Sequence, residues 1–159
     1  MRASGNNAVA GLENEVLIRA MECGDVPQAA AMEREYFGEP WSEQGFLEAL
    51  EAPHAMFLSA MWGEELVGYC GIYLSFDEGE ITNVAVRRDC RGRGIGRRLL
   101  EELQRRTLAL EVHVLFLEVR VSNENAIRLY ESCGFMETGL RRNFYRNPVE
   151  DAKLMKLDQ

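Results

Sequence analysis

The hydrophobic period of this chain changes twice between residues 80 and 121, and that change restricts the fold more than any other feature. Glu80 to Arg87 reads as a strand. A loop rich in glycine and arginine follows. Ile95, Leu99, Leu103 and Leu110 then recur near the helical period, which predicts a helix from about Gly94 to Leu110. Val114 to Val121 is an apolar strand. A strand, a helix and a second strand in this succession predict a right-handed crossover between parallel strands.

The elements around this unit pair differently. Glu15 to Ala20 reads as a first strand. Asp25 is placed to cap a helix that carries Pro27 in its first turn and runs to about Phe37, and Ser42 is placed to cap a shorter one that runs to Leu50. Ala55 to Met61 and Leu66 to Phe76 flank a Trp62-Gly-Glu-Glu turn and predict a hairpin. Asn123 caps a helix to Ser132, with Gly134 as its C′ glycine, and Phe135 to Tyr145 and Ala152 to Leu157 close the chain as strands. The expected order is β-α-α-β-β-β-α-β-α-β-β, an α/β mixed sheet with helices on both faces. Residues 1–12 are expected to form a flexible tail and 13–159 a single domain.

Charge is distributed unevenly. The chain carries 26 acidic and 18 basic residues, a net of −8. Residues 1–80 hold 15 acids and 3 bases, whereas residues 81–159 hold 11 acids and 15 bases. Six arginines and one aspartate crowd into Arg87 to Arg98. That run lacks interleaved aromatics and faces a repelling acidic half, so nucleic acid is not an expected partner. Cys23, Cys70, Cys90 and Cys133 form no C-x-x-C pair, and His54 and His113 lie near none of them, so no metal site is expected. No run approaches a membrane span of about 20 apolar residues. The cysteines are read as reduced and the expected compartment is the cytoplasm.

Gly92-x-Gly94-x-Gly96 stands between a strand and a helix, where unpaired helix N–H groups favour an anion. Arg97 occupies the last glycine position of a dinucleotide loop, and Gly96-Arg97-Arg98 lacks the lysine of a P-loop. The pattern Arg91-x-x-Gly94-x-Gly96, preceded by Asn83-Val84-Ala85-Val86, instead resembles the pyrophosphate-binding signature of the GNAT superfamily of N-acetyltransferases. Within it, the chain is similar to the ribosomal-protein alanine N-acetyltransferases (RimI type). Glu33-x-x-x-Phe37-x-x-Pro40-Trp41-Ser42-Glu43, Leu117-Glu-Val-Arg-Val-Ser-Asn123, Ala126-Ile-x-Leu-Tyr130 and Gly139-x-Arg-Arg-Asn143 carry that likeness. Phe144, where a tyrosine is usual, and Gly92, where arginine or glutamine is common, depart from it.

The resemblance implies the GNAT fold, with a sheet splayed between its fourth and fifth strands. It implies acetyl-coenzyme A as co-substrate, bound by Val84, Ala85 and Val86, by Arg91, Gly92, Arg93, Gly94, Ile95, Gly96 and Arg97, and by Asn123. The six arginines of the loop suit its phosphate charge. Glu118 matches the family's proton acceptor and Tyr130 its proton donor to the thiolate. Read from the residues alone, Glu118 equally suits an ion pair with Arg120, on the same strand face. Tyr130 equally suits a core ring with its hydroxyl at the edge, and Asn123 an N-cap. Cys133 lacks an activating neighbour and reads as packing. His54 and His113 read as structural, and Trp41 suits either a peptide groove or a loop anchor.

The expected reaction is direct acetyl transfer to the α-amine of an alanine-starting ribosomal protein, whose basic N-terminus the acidic half would attract. A small-amine acetyltransferase acting on a polyamine or aminoglycoside, and a non-catalytic acyl-coenzyme A sensor, are the competing readings. The oligomeric state is not legible.

Overall fold

The computed structural model describes Gly11 and residues 15–159. The tail expected over residues 1–12 lies, Gly11 apart, outside the described residues. Seven strands form one sheet: β1 (Leu17–Ala20), β2 (Ala55–Trp62), β3 (Glu65–Ser75), β4 (Glu78–Val86), β5 (Val114–Arg120), β6 (Met136–Tyr145) and β7 (Glu150–Asp158). Their spatial order is β1-β2-β3-β4-β5-β7-β6. The helices are α1 (Val26–Tyr36), α2 (Glu43–Glu51), α3 (Ile95–Ala109) and α4 (Glu124–Ser132). The element order is the expected one, and ends move by a few residues. β4 begins at Glu78 rather than Glu80 and β7 at Glu150 rather than Ala152, because both extend into paired ladder positions.

Side-chain alternation divides the core into two layers. Phe57, Met61, Leu66, Tyr69 and Ala85 face α1 and α2 and pack with Val26, Ala29, Phe46 and Ala49. Leu58, Val67, Cys70, Leu115 and Leu117 face the other way, onto Leu99, Leu100 and Leu103 of α3 and Ile127 and Tyr130 of α4. A continuous apolar run such as Leu66 to Ile72 is the pattern of a strand covered on both sides.

Caps set the helix ends. Ser42 Oγ accepts from Gly45 N at 3.0 Å. Asn123 Oδ1 accepts from Ala126 N at 3.2 Å. Gly134, at φ 100°, ends α4, and Phe135 N returns to Tyr130 O at 3.0 Å. Asp25 departs from expectation. Its side chain does not cap α1; it accepts from Arg19 at 2.7 and 2.9 Å, from Glu22 N at 2.9 Å and from buried Ser59 Oγ at 3.0 Å. A short 3₁₀ turn over Cys23–Asp25 precedes α1, so the carboxylate closes that turn onto β1 and β2 instead.

The parallel seam is short. β4 and β5 pair only at Glu78–Val114, Gly79–Leu115 and Glu80–Phe116. Beyond Glu80 the strands part. A register shift between Cys70 and Ile72 of β3 adds a residue to β4 between Ile81 and Val84, a bulge that bends β4 away. Arg87 N–H bonds Val67 O on the β3 side at 2.8 Å. Strand alternation therefore turns the N–H groups of Val84 and Val86 toward the opened side.

Candidate active site

Two cavities adjoin the fork. The first, about 780 Å³, lies along the opened edge of β4 and the start of α3. Val84, Ala85 and Val86 form one wall. Arg91, Gly92, Gly94, Ile95, Gly96 and Arg97 form the loop and helix end. Asn123 and Tyr130 come from the α4 side. Gly92 and Gly94 have φ of 75° and 81°, in the left-handed region that favours glycine, and a Cβ at either would meet nothing within 4 Å. The backbone is thus exposed for close approach. Gly96 is required for another reason, since its Cβ would stand 2.9 Å from Leu129 Cδ2 of α4. Arg98 N makes the first return bond, to Gly94 O at 3.0 Å, so the preceding amides of α3 lack intrahelical acceptors.

The arginines divide by task. Arg87 pairs with Asp89 at 2.7 Å and with Glu65 at 3.4 Å, and these partners together hold its guanidinium pKa above the ordinary value despite burial. Arg98 donates to Val16 O at 2.8 Å. Arg93 is absent from the cavity lining. Arg87 and Arg98 are thus held by groups of the protein itself, and Arg93 lies in the loop between Gly92 and Gly94. Arg91 and Arg97 remain on the cavity, joined by Arg88 and Arg128, which motif matching did not select.

Tyr36 at the end of α1 was also missed. Its ring lies under Arg91 at 4.7 Å and Arg88 at 5.6 Å, and its hydroxyl accepts from Arg88 N at 2.9 Å. Arg91 Nε in turn donates to Val86 O at 2.9 Å. One ring thus ties the arginine loop to the opened strand. A Tyr next to the Phe-Gly that ends a helix carries no signal of this in the sequence.

The second cavity, about 900 Å³, lies at the crotch of the fork on the sheet face opposite α3 and α4. Glu78, Glu80, Glu118 and Arg141 supply its charge, and His54, just before β2, and Tyr73 of β3 also line it. Burial of β5 alternates so that Leu115, Leu117 and Val119 enter the core while Phe116, Glu118 and Arg120 face this side. Glu118 is half-buried, with its side chain 22% exposed and 4.0 Å from Arg141 Nη1. Burial, then the charge of Glu80, push its pKa above the ordinary carboxylate range, with Arg141 opposing.

The pair of Glu118 with Arg120 is corrected. Arg120 donates to Glu150 at 3.2 Å, to Pro148 O at 2.9 Å and to Arg146 O at 2.8 Å, and lies over the Tyr145 ring at 4.4 Å. The turn between β6 and β7 and the first residue of β7 offer it three acceptors that β5 alone cannot.

Tyr130 is buried at 7% exposure, its ring edge-on to Phe135 at 5.9 Å. Burial raises its pKa well above the ordinary phenol value, so the hydroxyl stays protonated. Asn123 holds its capping bond and also lines the first cavity, so both readings of it keep a structural basis. Trp41 anchors its loop against Phe46, Phe57 and Tyr73, at 5.4, 5.6 and 6.2 Å. His54 stacks on Tyr73 at 5.5 Å. Burial raises the pKa of the Cys133 thiol, which disfavours the reactive thiolate. Among the described residues no group of three or more His, Cys, Asp or Glu is placed to hold a metal ion, and no helix is long and apolar enough to cross a membrane.

The largest unforeseen feature is Glu33 of α1, which is fully buried. It accepts from Tyr69 Oη, from Asn83 Nδ2 at 2.6 Å and from Trp41 N at 3.2 Å. Burial raises its pKa above the carboxylate range against the pull of these three bonds. Asn83 lies within the β4 bulge, so one carboxyl links α1, the loop before α2 and the strand that opens the fork.

Comparison with known proteins agrees with this geometry. The model of the "Acetyltransferase (GNAT) family" matches residues 26–135. The chain is 37% identical over 142 residues to the [Ribosomal protein bS18]-alanine N-acetyltransferase of Escherichia coli strain K12, covering 88% of this chain and 95% of that one. It is 34% identical over 145 residues to a putative enzyme of the same name from Bacillus subtilis strain 168, covering 91% and 96%. The crystal structure of the ribosomal-protein-S18-alanine N-acetyltransferase from Escherichia coli superposes with a TM-score of 0.81 at 34% identity, over 90% of this chain and 93% of that one. The chain therefore belongs to the GNAT acetyltransferase family, alongside the ribosomal-protein alanine N-acetyltransferases, and is an N-acetyltransferase.

Proposed function

We propose that this enzyme transfers an acetyl group from acetyl-coenzyme A to the α-amine of the alanine that begins ribosomal protein bS18. The observation that carries the reading is the placing of Tyr130 and Glu118 on separate cavities at one fork. GNAT enzymes use acetyl-coenzyme A, and the first cavity fits it. The fit rests on left-handed glycines that expose backbone, on the first amides of α3, which lack intrahelical acceptors, on Arg91 and Arg97, and on a β4 edge that pairs with no strand of the described residues beyond Glu80. When bound, the coenzyme supplies an acetyl group activated as a thioester.

The chain's own residues do the rest. An α-amine has a pKa near 8, so only a fraction is neutral at pH 7. Glu118 takes the proton that the amine must lose. A carboxylate with a raised pKa is the stronger base, and burial beside Glu80 supplies that rise. The N–H groups of Val84 and Val86, turned to the opened side, are aimed to donate to the developing oxyanion. Tyr130, protonated because it is buried, donates to the departing sulfur. Glu78, Glu80 and Glu118 give the second cavity a negative field that suits a cationic N-terminus.

The test is incubation with acetyl-coenzyme A and a basic alanine-starting peptide, with the added mass located by fragmentation. Acetyl on the α-amine is the expected result. Acetylated spermidine with an unmodified peptide would overturn it in favour of a small-amine enzyme, and no turnover of either in favour of a sensor.

Tyr36 offers a separate check on the first cavity. Tyr36→Ala removes the ring under Arg88 and Arg91, each contact worth about 0.5–1 kcal/mol at an exposed site. KM for acetyl-coenzyme A is expected to rise by roughly 5- to 30-fold, with KM for the peptide little changed. Equal loss for both substrates would mean that the ring supports the fold rather than the arginine loop.

A further inference from the structure

One contact of the buried Glu33 reaches a stretch of β4 that no ladder holds. Among the described residues, pairing with β3 skips Thr82 and Asn83, and pairing with β5 ends at Glu80. Peptide planes inside a sheet are ordinarily fixed by ladder bonds. Here the tether is a side chain, since Asn83 Nδ2 donates to Glu33 Oε1 at 2.6 Å. The peptide plane that follows Asn83 carries Val84 N–H, one of the two that turn toward the opened side. Glu33 is itself well held. It is fully buried, Tyr69 Oη donates to the same Oε1, and Trp41 N donates to Oε2 at 3.2 Å. Its main-chain oxygen accepts from Phe37 N at 3.0 Å, and Tyr36 and Phe37 line the first cavity opposite Val84. The last turn of α1 therefore reaches both walls of that cavity: Tyr36 holds the arginine loop and Glu33 holds the strand edge.

Resting on the acetyl-transfer reading, we propose that Glu33 and Asn83 are positioning residues for the oxyanion. The bond between them fixes the peptide plane that carries Val84 N–H, so this N–H is aimed at the thioester carbonyl oxygen before the amine attacks. A donor already in place needs no reorganisation as negative charge builds on that oxygen. Neither side chain touches the substrate; both act through the backbone of Val84. Without the tether, the plane in the bulge is free to rotate, and the N–H meets the carbonyl in only part of its population. The loss falls on kcat, because the donor matters most when charge has developed. Coenzyme affinity is carried elsewhere, by Arg91, Arg97 and the first amides of α3.

The experiment compares Asn83→Ala with Tyr69→Phe. Each removes one donor from Glu33 Oε1, and only the first frees the bulge. Asn83 is half-buried and Tyr69→Phe keeps the buried ring, so both variants are expected to fold, with urea midpoints as the check. In Asn83→Ala, kcat for the alanine-starting peptide is expected to fall by about 10- to 100-fold, up to the cost of misplacing a group at the reacting centre by about 1 Å. Its affinity for coenzyme A should stay nearly unchanged, and Tyr69→Phe should keep a kcat near that of the wild type. A merely structural role would lower kcat in both, and equal losses overturn the proposal. The second readout is the infrared C=O stretch of bound acetyl-coenzyme A labelled with ¹³C at the carbonyl. It should lie below its solution value in the wild type and in Tyr69→Phe, and move back toward that value in Asn83→Ala. A stretch in Asn83→Ala equal to that of the wild type overturns the proposal as well. The stretch is read without any acceptor, so its outcome stands whether or not the peptide is acetylated.

Discussion

Glu118→Gln is expected to lower kcat/KM for an alanine-starting peptide by about 10²–10⁴-fold, the range that a positioned general base supplies, while acetyl-coenzyme A binding stays nearly unchanged. Glutamine fills the same space and cannot accept the proton. Glu118 lines the second cavity, away from the arginines and glycines of the first, so binding and chemistry should separate. The pH profile gives the sign. Glu118 must be ionised to act and its pKa is raised, so activity of the wild type should fall as pH drops through a value above the ordinary carboxylate range. The variant should lose that limb. Tyr130→Phe should also cut kcat strongly, now with the base limb altered, because the ring stays packed on Phe135 and only the hydroxyl is lost. Single-turnover kinetics and isothermal titration with the coenzyme check both. Unchanged turnover in both variants would remove the acid–base assignment.

The parts of this site that the sequence disclosed are the local ones. Glycines before a helical period, and a strand before the glycines, are contained within about 40 residues, so the crossover and the loop could be read without tertiary knowledge. The two-residue spacing put Glu118 and Arg120 on one face of β5, as the structure has them, but the ion pair expected between them does not form. Their partners were not legible. The order β5-β7-β6 brings Glu150 to Arg120 and Arg141 to Glu118, and nothing along β5 encodes that order. The fork followed from family likeness rather than periodicity, since a bulge of one residue leaves almost no trace in an apolar strand. Arg87 and Arg98 counted as ligand charge in the sequence because a count has no direction; in the fold they meet Asp89, Glu65 and Val16.

Glu33→Leu is expected to destabilise the protein by about 3–5 kcal/mol, a large part of a typical 5–15 kcal/mol total. A glutamate in an amphipathic helix ordinarily reads as a solvated residue, and here it is fully buried, with no cation beside it among the described residues. Leucine matches its bulk but offers no acceptor. Tyr69 Oη, Asn83 Nδ2 and Trp41 N would each be left as a donor without its carboxyl partner, at about 1–3 kcal/mol apiece, less the desolvation cost that the carboxyl no longer bears. A cavity-only origin predicts little recovery on adding Tyr69→Phe. An orphaned-donor origin predicts that Glu33→Leu with Tyr69→Phe regains part of the loss, because one donor is gone. The pH dependence sharpens the test. The folded pKa of Glu33 lies above its unfolded value, so its contribution is fully present below the ordinary carboxylate range and is lost as pH rises through the folded value. Urea midpoints of wild type and variant should therefore differ most at low pH and converge toward high pH. A gap that is constant with pH would show that Glu33 is not the titrating group. Because the same carboxyl holds Asn83 in the bulge that parts β4 from β5, stability and an open fork depend on one proton-binding group.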